Sequence, residues 1–133
     1  DESLDLEFIM NARILVVDDQ ASQRTLSEQL LNSLGYRTHS AISGREAVSL
    51  LREDADFDLM IVDMIMQEGF DGLDTIREVL GIRPDLPCII ATGYSRTDRV
   101  KSALDLGARA CLNKPYTLKT LAKVVREALE KAV

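Results

Sequence analysis

The sequence is poor in the residues that build soft-metal sites. It has one histidine, His39, and two cysteines, Cys88 and Cys111, which lie in separate apolar stretches without CxxC spacing. That scarcity excludes a site built from histidine and cysteine. The cysteines read instead as buried thiols of a reducing compartment. Long apolar runs are missing as well: none approaches the roughly 20 residues that cross a bilayer. No basic start, apolar stretch and small-residue cleavage site occur together, so nothing points to secretion, and a cytoplasmic setting without direct membrane contact is expected. Positive charge is in deficit, with 16 Lys and Arg against 22 Asp and Glu and a net charge of −6. Phosphate backbones are held by clustered Lys and Arg, so direct nucleic-acid binding is not expected of this chain.

What remains is an ordinary globular composition. The chain has 133 residues, 46% of them hydrophobic and 29% charged, which suits one domain around one core. Short, almost wholly apolar runs appear at Ile14–Val17, Leu59–Val62, Cys88–Ala91 and Ala110–Leu112. Runs of this kind read as strands buried on both faces of a parallel sheet. Arg37–Ile42 is more polar and reads as a strand nearer an edge. Between the runs lie segments of helical spacing: Ala21–Leu34 with Gly35 as its C-cap, Gly44–Arg52, Leu73–Leu80, Arg96–Leu106 before Gly107, and a last helix from Leu118 with Leu121, Val125, Ala128 and Leu129 in a stripe. The order βαβαβαβαβα implies an α/β fold, a doubly wound parallel sheet with helices on both faces. Residues 12–133 form that domain. Residues 1–11 mix acids with Leu4, Leu6, Phe8 and Ile9, and read as a linker or tail or as the end of a preceding helix. The first residue is Asp rather than Met, as in a piece cut from a longer protein.

In such sheets the functional crevice lies beyond the carboxyl ends of the strands. The residues there are Asp18 and Asp19 after the first strand, Asp63 after the third, Thr92 after the fourth and Asn113-Lys114-Pro115 after the fifth. Each is commonplace alone; their coincidence carries the weight. Two like charges about 4 Å apart repel by roughly 4 kcal/mol at an effective dielectric near 20. Three carboxylates in one pocket therefore raise their pKa values or bind a cation, and oxygen-only ligands suit Mg²⁺. A cation beside a carboxylate, a lysine and a threonine is an arrangement for phosphoryl transfer.

Four separated segments, Leu15-Val16-Val17-Asp18-Asp19, Met60-Ile61-Val62-Asp63, Ala91-Thr92-Gly93 and Asn113-Lys114-Pro115, make the chain resemble the receiver domains of bacterial response regulators. The resemblance runs from about Ala12 to the end. It implies a flavodoxin-like sheet of order 2-1-3-4-5 with five helices. It implies Asp63 as the phosphoacceptor, Asp19 as a direct Mg²⁺ ligand, Asp18 as one acting partly through water, and the backbone carbonyl of Ile65 as a further ligand. Thr92 would be the switch hydroxyl and Lys114 the partner of the phosphoryl group, with a cis bond before Pro115. The donor would be a histidine kinase or a histidine phosphotransfer domain, the output a repacked surface near the fourth helix and fifth strand, and a weak homodimer is allowed. Ala91-Thr92-Gly93-Tyr94-Ser95 and Lys114-Pro115-Tyr116-Thr117-Leu118 resemble receivers at the C-terminal end of hybrid sensor kinases, in which case the parent protein would be a histidine kinase.

The chain departs from the family pattern at several places. Gln67 stands where a proline is usual, and the loop before Gly72 is one residue longer. Cys111 replaces the aromatic that commonly turns inward, leaving Tyr94 or Tyr116 as the aromatics within reach. Ile65 and Tyr94, each two residues past a key side chain, should hinder the water that hydrolyses an acyl phosphate, which implies slow self-dephosphorylation. Asp71-Gly72 reads as a turn before a helix, and His39 as a half-exposed strand residue rather than a relay histidine. Two other classes compete: an interaction module that keeps the fold without phosphorylation, and a Mg²⁺-dependent phosphate-ester hydrolase. The second would show an Asp-x-Asp pair after the first strand, where this chain has adjacent aspartates.

Overall fold

A computed structural model describes residues 2–54, 56–66, 69–93 and 97–131, with side chains from residue 6 onward. Five parallel strands, β1 (Arg13–Val17), β2 (Arg37–Ala41), β3 (Leu59–Asp63), β4 (Cys88–Thr92) and β5 (Ala110–Asn113), form one sheet of order β2-β1-β3-β4-β5. The expected strand order is therefore present. Six helices are found among the described residues: α1 (Glu2–Met10), α2 (Ala21–Ser33), α3 (Gly44–Glu53), α4 (Gly72–Ile82), α5 (Asp98–Leu106) and α6 (Leu118–Glu130). Five follow the strands as expected, and α1 stands before them.

Strand residues point alternately to opposite faces, so an unbroken apolar run must be covered twice. Leu15, Val17, Met60, Val62, Cys88 and Ile90 face a core closed by Ala47 and Leu51 of α3, Leu73, Ile76 and Val79 of α4, and Val100 and Ala103 of α5. Ile14, Val16, Leu59, Ile61 and Ile89 face the opposite core, closed by Leu31 of α2 and Leu121, Val125 and Leu129 of α6. Ile9 of α1 joins this second core and is only 5% exposed. That burial explains a helix whose apolar residues form no stripe of their own: tertiary packing, not periodicity, holds it. At the sheet edge, β2 alternates exposed and covered residues until Ala41 is buried.

The starts of α3, α4, α5 and α6 are capped by short polar side chains, which accept from orphan backbone N–H groups. Ser43 caps α3, Thr97 caps α5 and Thr117 caps α6. Asp71 and Asp74 form a reciprocal capping box at α4. Gly35 ends α2 at φ 96°, a left-handed conformation that suits a residue without Cβ. Because all strands run the same way, Asp18, Asp63, Thr92 and Asn113 emerge at one end of the sheet, beside the point where chain order reverses around β1 and β3.

Candidate functional site

The central strands β1 and β3 deliver the carboxylates. Asp18 follows β1 and is 5% exposed, with its backbone N–H donating to the Ala41 carbonyl at 3.2 Å. Its Oδ1 accepts from the Gln20 backbone N–H at 3.0 Å, and its own carbonyl accepts from the Arg24 guanidinium at 2.8 Å. Asp63 ends β3, where Val17 and Val62 are partners in register. One carboxylate oxygen from each of Asp18, Asp19 and Asp63 falls within 4.8 Å of the others. Two stretches of sequence, the adjacent Asp18 and Asp19 and the distant Asp63, are thus joined by the pairing of two strands.

The fifth strand supplies the counter-charge. Lys114 follows β5, and its backbone N–H donates to the Thr92 carbonyl at 2.8 Å, which fixes the start of its stem. Its Nζ donates to Asp18 Oδ2 at 2.9 Å and lies 3.2 Å from Asp63 Oδ1. The Lys114–Pro115 peptide is cis. Burial works against the lysine's charge, but the hydrogen bond it donates to Asp18 and the fields of Asp63 and Asp18 outweigh it and raise its pKa. Burial also pushes the Asp63 carboxyl up to about 6, opposed by Lys114 and reinforced by the negative charge of Asp18 and Asp19. Crowded, partly desolvated carboxylates of this kind favour a hard divalent cation among them. The donor set, oxygen only, fits Mg²⁺ and not a softer ion.

Thr92 ends β4 one residue beyond Ala91, the strand partner of Asp63, and is 2% exposed. It lines a cavity of about 340 Å³ together with Met64, Ile65, Asp71, Thr97 and Arg99. Ile65 projects an exposed side chain into the same region. Tyr94 and Gln67 lie outside the described residues. Cys111 packs against the core shared with α4 and α5, so it occupies the inner side of β5 as a small apolar residue. Asp71 is not part of the carboxylate cluster; it caps α4 and is held by the guanidinium of Arg99, which also reaches Asp74 at 3.4 Å.

Two features of the site escape sequence reasoning. Gly72 lies so close to the end of β3 that a Cβ there would sit 2.8 Å from the Asp63 carbonyl oxygen and 2.8 Å from the Met64 Cα. Ser27 of α2, 3% exposed, shares a hydrogen bond with the hydroxyl of Tyr116, 89 residues away. The glycine beside Asp71 was a signal for the first; no local pattern signals the second.

A parallel sheet with these side chains at its carboxyl end defines a class, and comparison with known proteins gives the family. The response regulator receiver domain matches residues 14–126, so the chain belongs to that family, the receivers of two-component systems. It is 39% identical to the transcriptional regulatory protein ZraR of Escherichia coli over 90% of this chain, yet spans only 26% of that protein. It is 31% identical to the sporulation initiation phosphotransferase F of Bacillus subtilis, over 91% of this chain and 96% of that one. The sensor kinase CckA of Brucella abortus shares 36% identity over 91% of this chain and 13% of its own length. Among solved structures, a receiver domain from Clostridium thermocellum superposes with a TM-score of 0.85 at 31% identity, covering 90% of this chain and 95% of that one.

Proposed function

We propose that the chain accepts a phosphoryl group on Asp63 from a phosphorylated histidine and passes the event on as a change of surface shape. The observation that supports it best is the shared lysine: Lys114 Nζ stands within 3.2 Å of Asp63 and 2.9 Å of Asp18, so an ammonium already waits where phosphoryl charge would arrive. In the proposed step an Asp63 carboxylate oxygen attacks phosphorus and the P–N bond to the donor imidazole breaks. The electron pair leaves on the imidazole nitrogen, and an acyl phosphate remains on Asp63. Lys114 balances charge on the phosphoryl oxygens, and the Thr92 hydroxyl donates to one of them. Mg²⁺, held by Asp18, Asp19, Asp63 and the Ile65 carbonyl, would supply further charge neutralisation when bound.

The same geometry supports a switch. Thr92 is buried between the end of β4 and the approach to α5, so drawing its hydroxyl toward Asp63 repacks the α5–β5 surface and shifts an existing equilibrium. With Cys111 on β5, no aromatic ring turns at that position. The apolar Ile65 beside the site gives an attacking water no polar partner, so the acyl phosphate is lost slowly. The partner is a histidine kinase or a histidine phosphotransfer domain, in the cytoplasm, with no direct contact to nucleic acid. We read the chain as the receiver segment of a hybrid sensor kinase, supported by the Ala91–Thr92–Gly93 and Lys114–Leu118 segments and by the likeness to CckA. A kinase core encoded upstream in the same gene is the expected finding; an encoded DNA-binding output domain downstream would place it among transcriptional regulators.

The test is intact mass after incubation with a small acyl-phosphate donor and Mg²⁺, beside Asp63→Asn. A gain of one phosphoryl group in the wild type alone is expected, and following that mass over time reads the lifetime of the bond. A gain in both proteins moves the acceptor elsewhere. No gain in either, with a cognate kinase also tried, leaves an interaction module that works without phosphorylation.

A further inference from the structure

Among the described residues, four polar side chains are buried: Asp18, Ser27, Thr75 and Thr92. Asp18 and Thr92 belong to the site, and Thr75 is satisfied by the Asp71 carbonyl at 2.8 Å within its own helix. Ser27 is different. A serine buried in a helix usually bonds back to a carbonyl of the preceding turn, or is replaced by alanine at no loss of packing. Here its hydroxyl meets the Tyr116 hydroxyl from the loop between β5 and α6. Tyr116 lies two residues past Lys114, and its ring packs against the core on the α2 and α6 side of the sheet.

We propose that the Ser27–Tyr116 hydrogen bond is a positioning contact for Lys114, an inference that rests on the reading of Asp63 as phosphoacceptor. The lysine stem is held from two directions. On one side its backbone N–H is tied to the Thr92 carbonyl of β4 at 2.8 Å. On the other, the Tyr116 hydroxyl fastens the following loop to α2, the helix that begins just after Asp18 and Asp19. Between the two ties in sequence stands Lys114 itself, whose Nζ contacts Asp18 at 2.9 Å and Asp63 at 3.2 Å. A hydroxyl pair linking α2 to the loop therefore keeps the ammonium over both carboxylates rather than over Asp18 alone. The same junction carries a cavity of about 270 Å³ lined by Gln23 and Leu26 of α2 and by Lys114, Pro115 and Tyr116 of the loop. Without the hydrogen bond, the loop has room to move away from the helix. Tyr116 in this role acts through its hydroxyl from a fixed place, unlike a ring that turns inward.

Tyr116→Phe and Ser27→Ala each delete one hydroxyl and leave the apolar contacts. The measurement is the rate of phosphoryl uptake from a small acyl-phosphate donor, over a range of donor concentrations at saturating Mg²⁺. Each variant should lower the maximal rate about fivefold, the size expected from loss of one positioning hydrogen bond, with the half-saturating donor concentration unchanged. The double variant should be no slower than either single one, and Tyr116→Phe should have no effect once Lys114→Met has removed the ammonium. Unchanged rates, multiplying effects of the two hydroxyls, or an undiminished Tyr116→Phe effect in the Lys114→Met background would overturn the proposal. A wild type that takes up no phosphoryl group fails the phosphoacceptor reading instead. The positioning claim is then decided by the side-chain amine resonance of Lys114. That signal should be sharp and slow to exchange in the wild type and broadened in Tyr116→Phe; identical signals would refute the claim.

Discussion

Asp63 carries a tension that can be read without any phosphoryl donor. Its carboxyl is pushed up to about 6 from an ordinary 3.8, by burial first and then by the negative charge beside it, with Lys114 opposing both. A raised carboxylate pKa means the folded chain holds its proton more tightly than the unfolded chain does. The folded state is therefore favoured most below about pH 4, and it loses stability as pH rises from about 4 to about 6. Above that window the loss is constant. Asp63→Asn removes the titrating group, so in chelator it should be more stable than the wild type by about 2 kcal/mol at pH 7.5 and nearly equal to it at pH 4. Urea unfolding at the two pH values measures this. A difference that does not grow with pH would mean the carboxyl is not strained. Mg²⁺ should narrow the gap at pH 7.5, because it stabilises the folded wild type by mass action.

Most of the site's charged side chains were legible in the sequence. Asp18, Asp19, Asp63, Thr92 and Lys114 could be gathered from sequence because each stands within two residues of the end of an apolar run, and parallel strands bring such exits to one end. Ser27 could not, since its partner is 89 residues away and nothing in a helical pattern marks one buried serine among several exposed polar residues. The bond between Arg99 and Asp71 is equally hidden, for it depends on how α5 lies beside the start of α4.

At the scale of elements, the boundary between β3 and α4 is a close join beside the site. The Gly72 backbone N–H donates to the Met64 carbonyl at 2.9 Å, and the Met64 N–H donates to the Ala91 carbonyl at 2.8 Å. Asp71 caps the helix from the residue before. These contacts hold the first turn of α4 against the strand end that bears Asp63. A methyl group on Gly72 would meet main-chain atoms of Asp63 and Met64, both at 2.8 Å, and main chain cannot rotate away as a side chain can. Gly72→Ala should destabilise the protein by about 1–3 kcal/mol and slow phosphoryl uptake by displacing the end of β3. Gly81→Ala is the control: it lies in the same helix with nothing within 4 Å of an added Cβ, and should stabilise slightly. Thermal midpoints and uptake rates of the two variants decide it. Equal behaviour would show that the loop before Gly72 gives way easily.

On the scale of the whole molecule, the part least legible in sequence is α1. Four strands announced themselves through apolar runs and five helices through helical spacing, whereas residues 2–10 mix acids and apolar groups without a stripe. What holds α1 is a contact made elsewhere in the fold: Ile9, 5% exposed, joins the core that α6 helps to close, and α1 packs on α6. Deleting a buried isoleucine from a closed core typically costs about 2–5 kcal/mol. A terminal helix limits that loss, because α1 can undock before the sheet opens, and the cost cannot exceed the free energy of its docking. Ile9→Ala should therefore abolish hydrogen-exchange protection along α1 while the amides of β1, β3 and β4 keep nearly all of theirs, and phosphoryl uptake should stay at the wild-type rate. Uptake is spared because α1 packs on α6, whereas the carboxylates and Lys114 are fixed by β1, β3, β4 and the loop after β5. If protection fell across the central strands as well, α1 would be an integral part of the core. A slowed uptake with intact strands would instead mean that the docked helix bears on the site through α6.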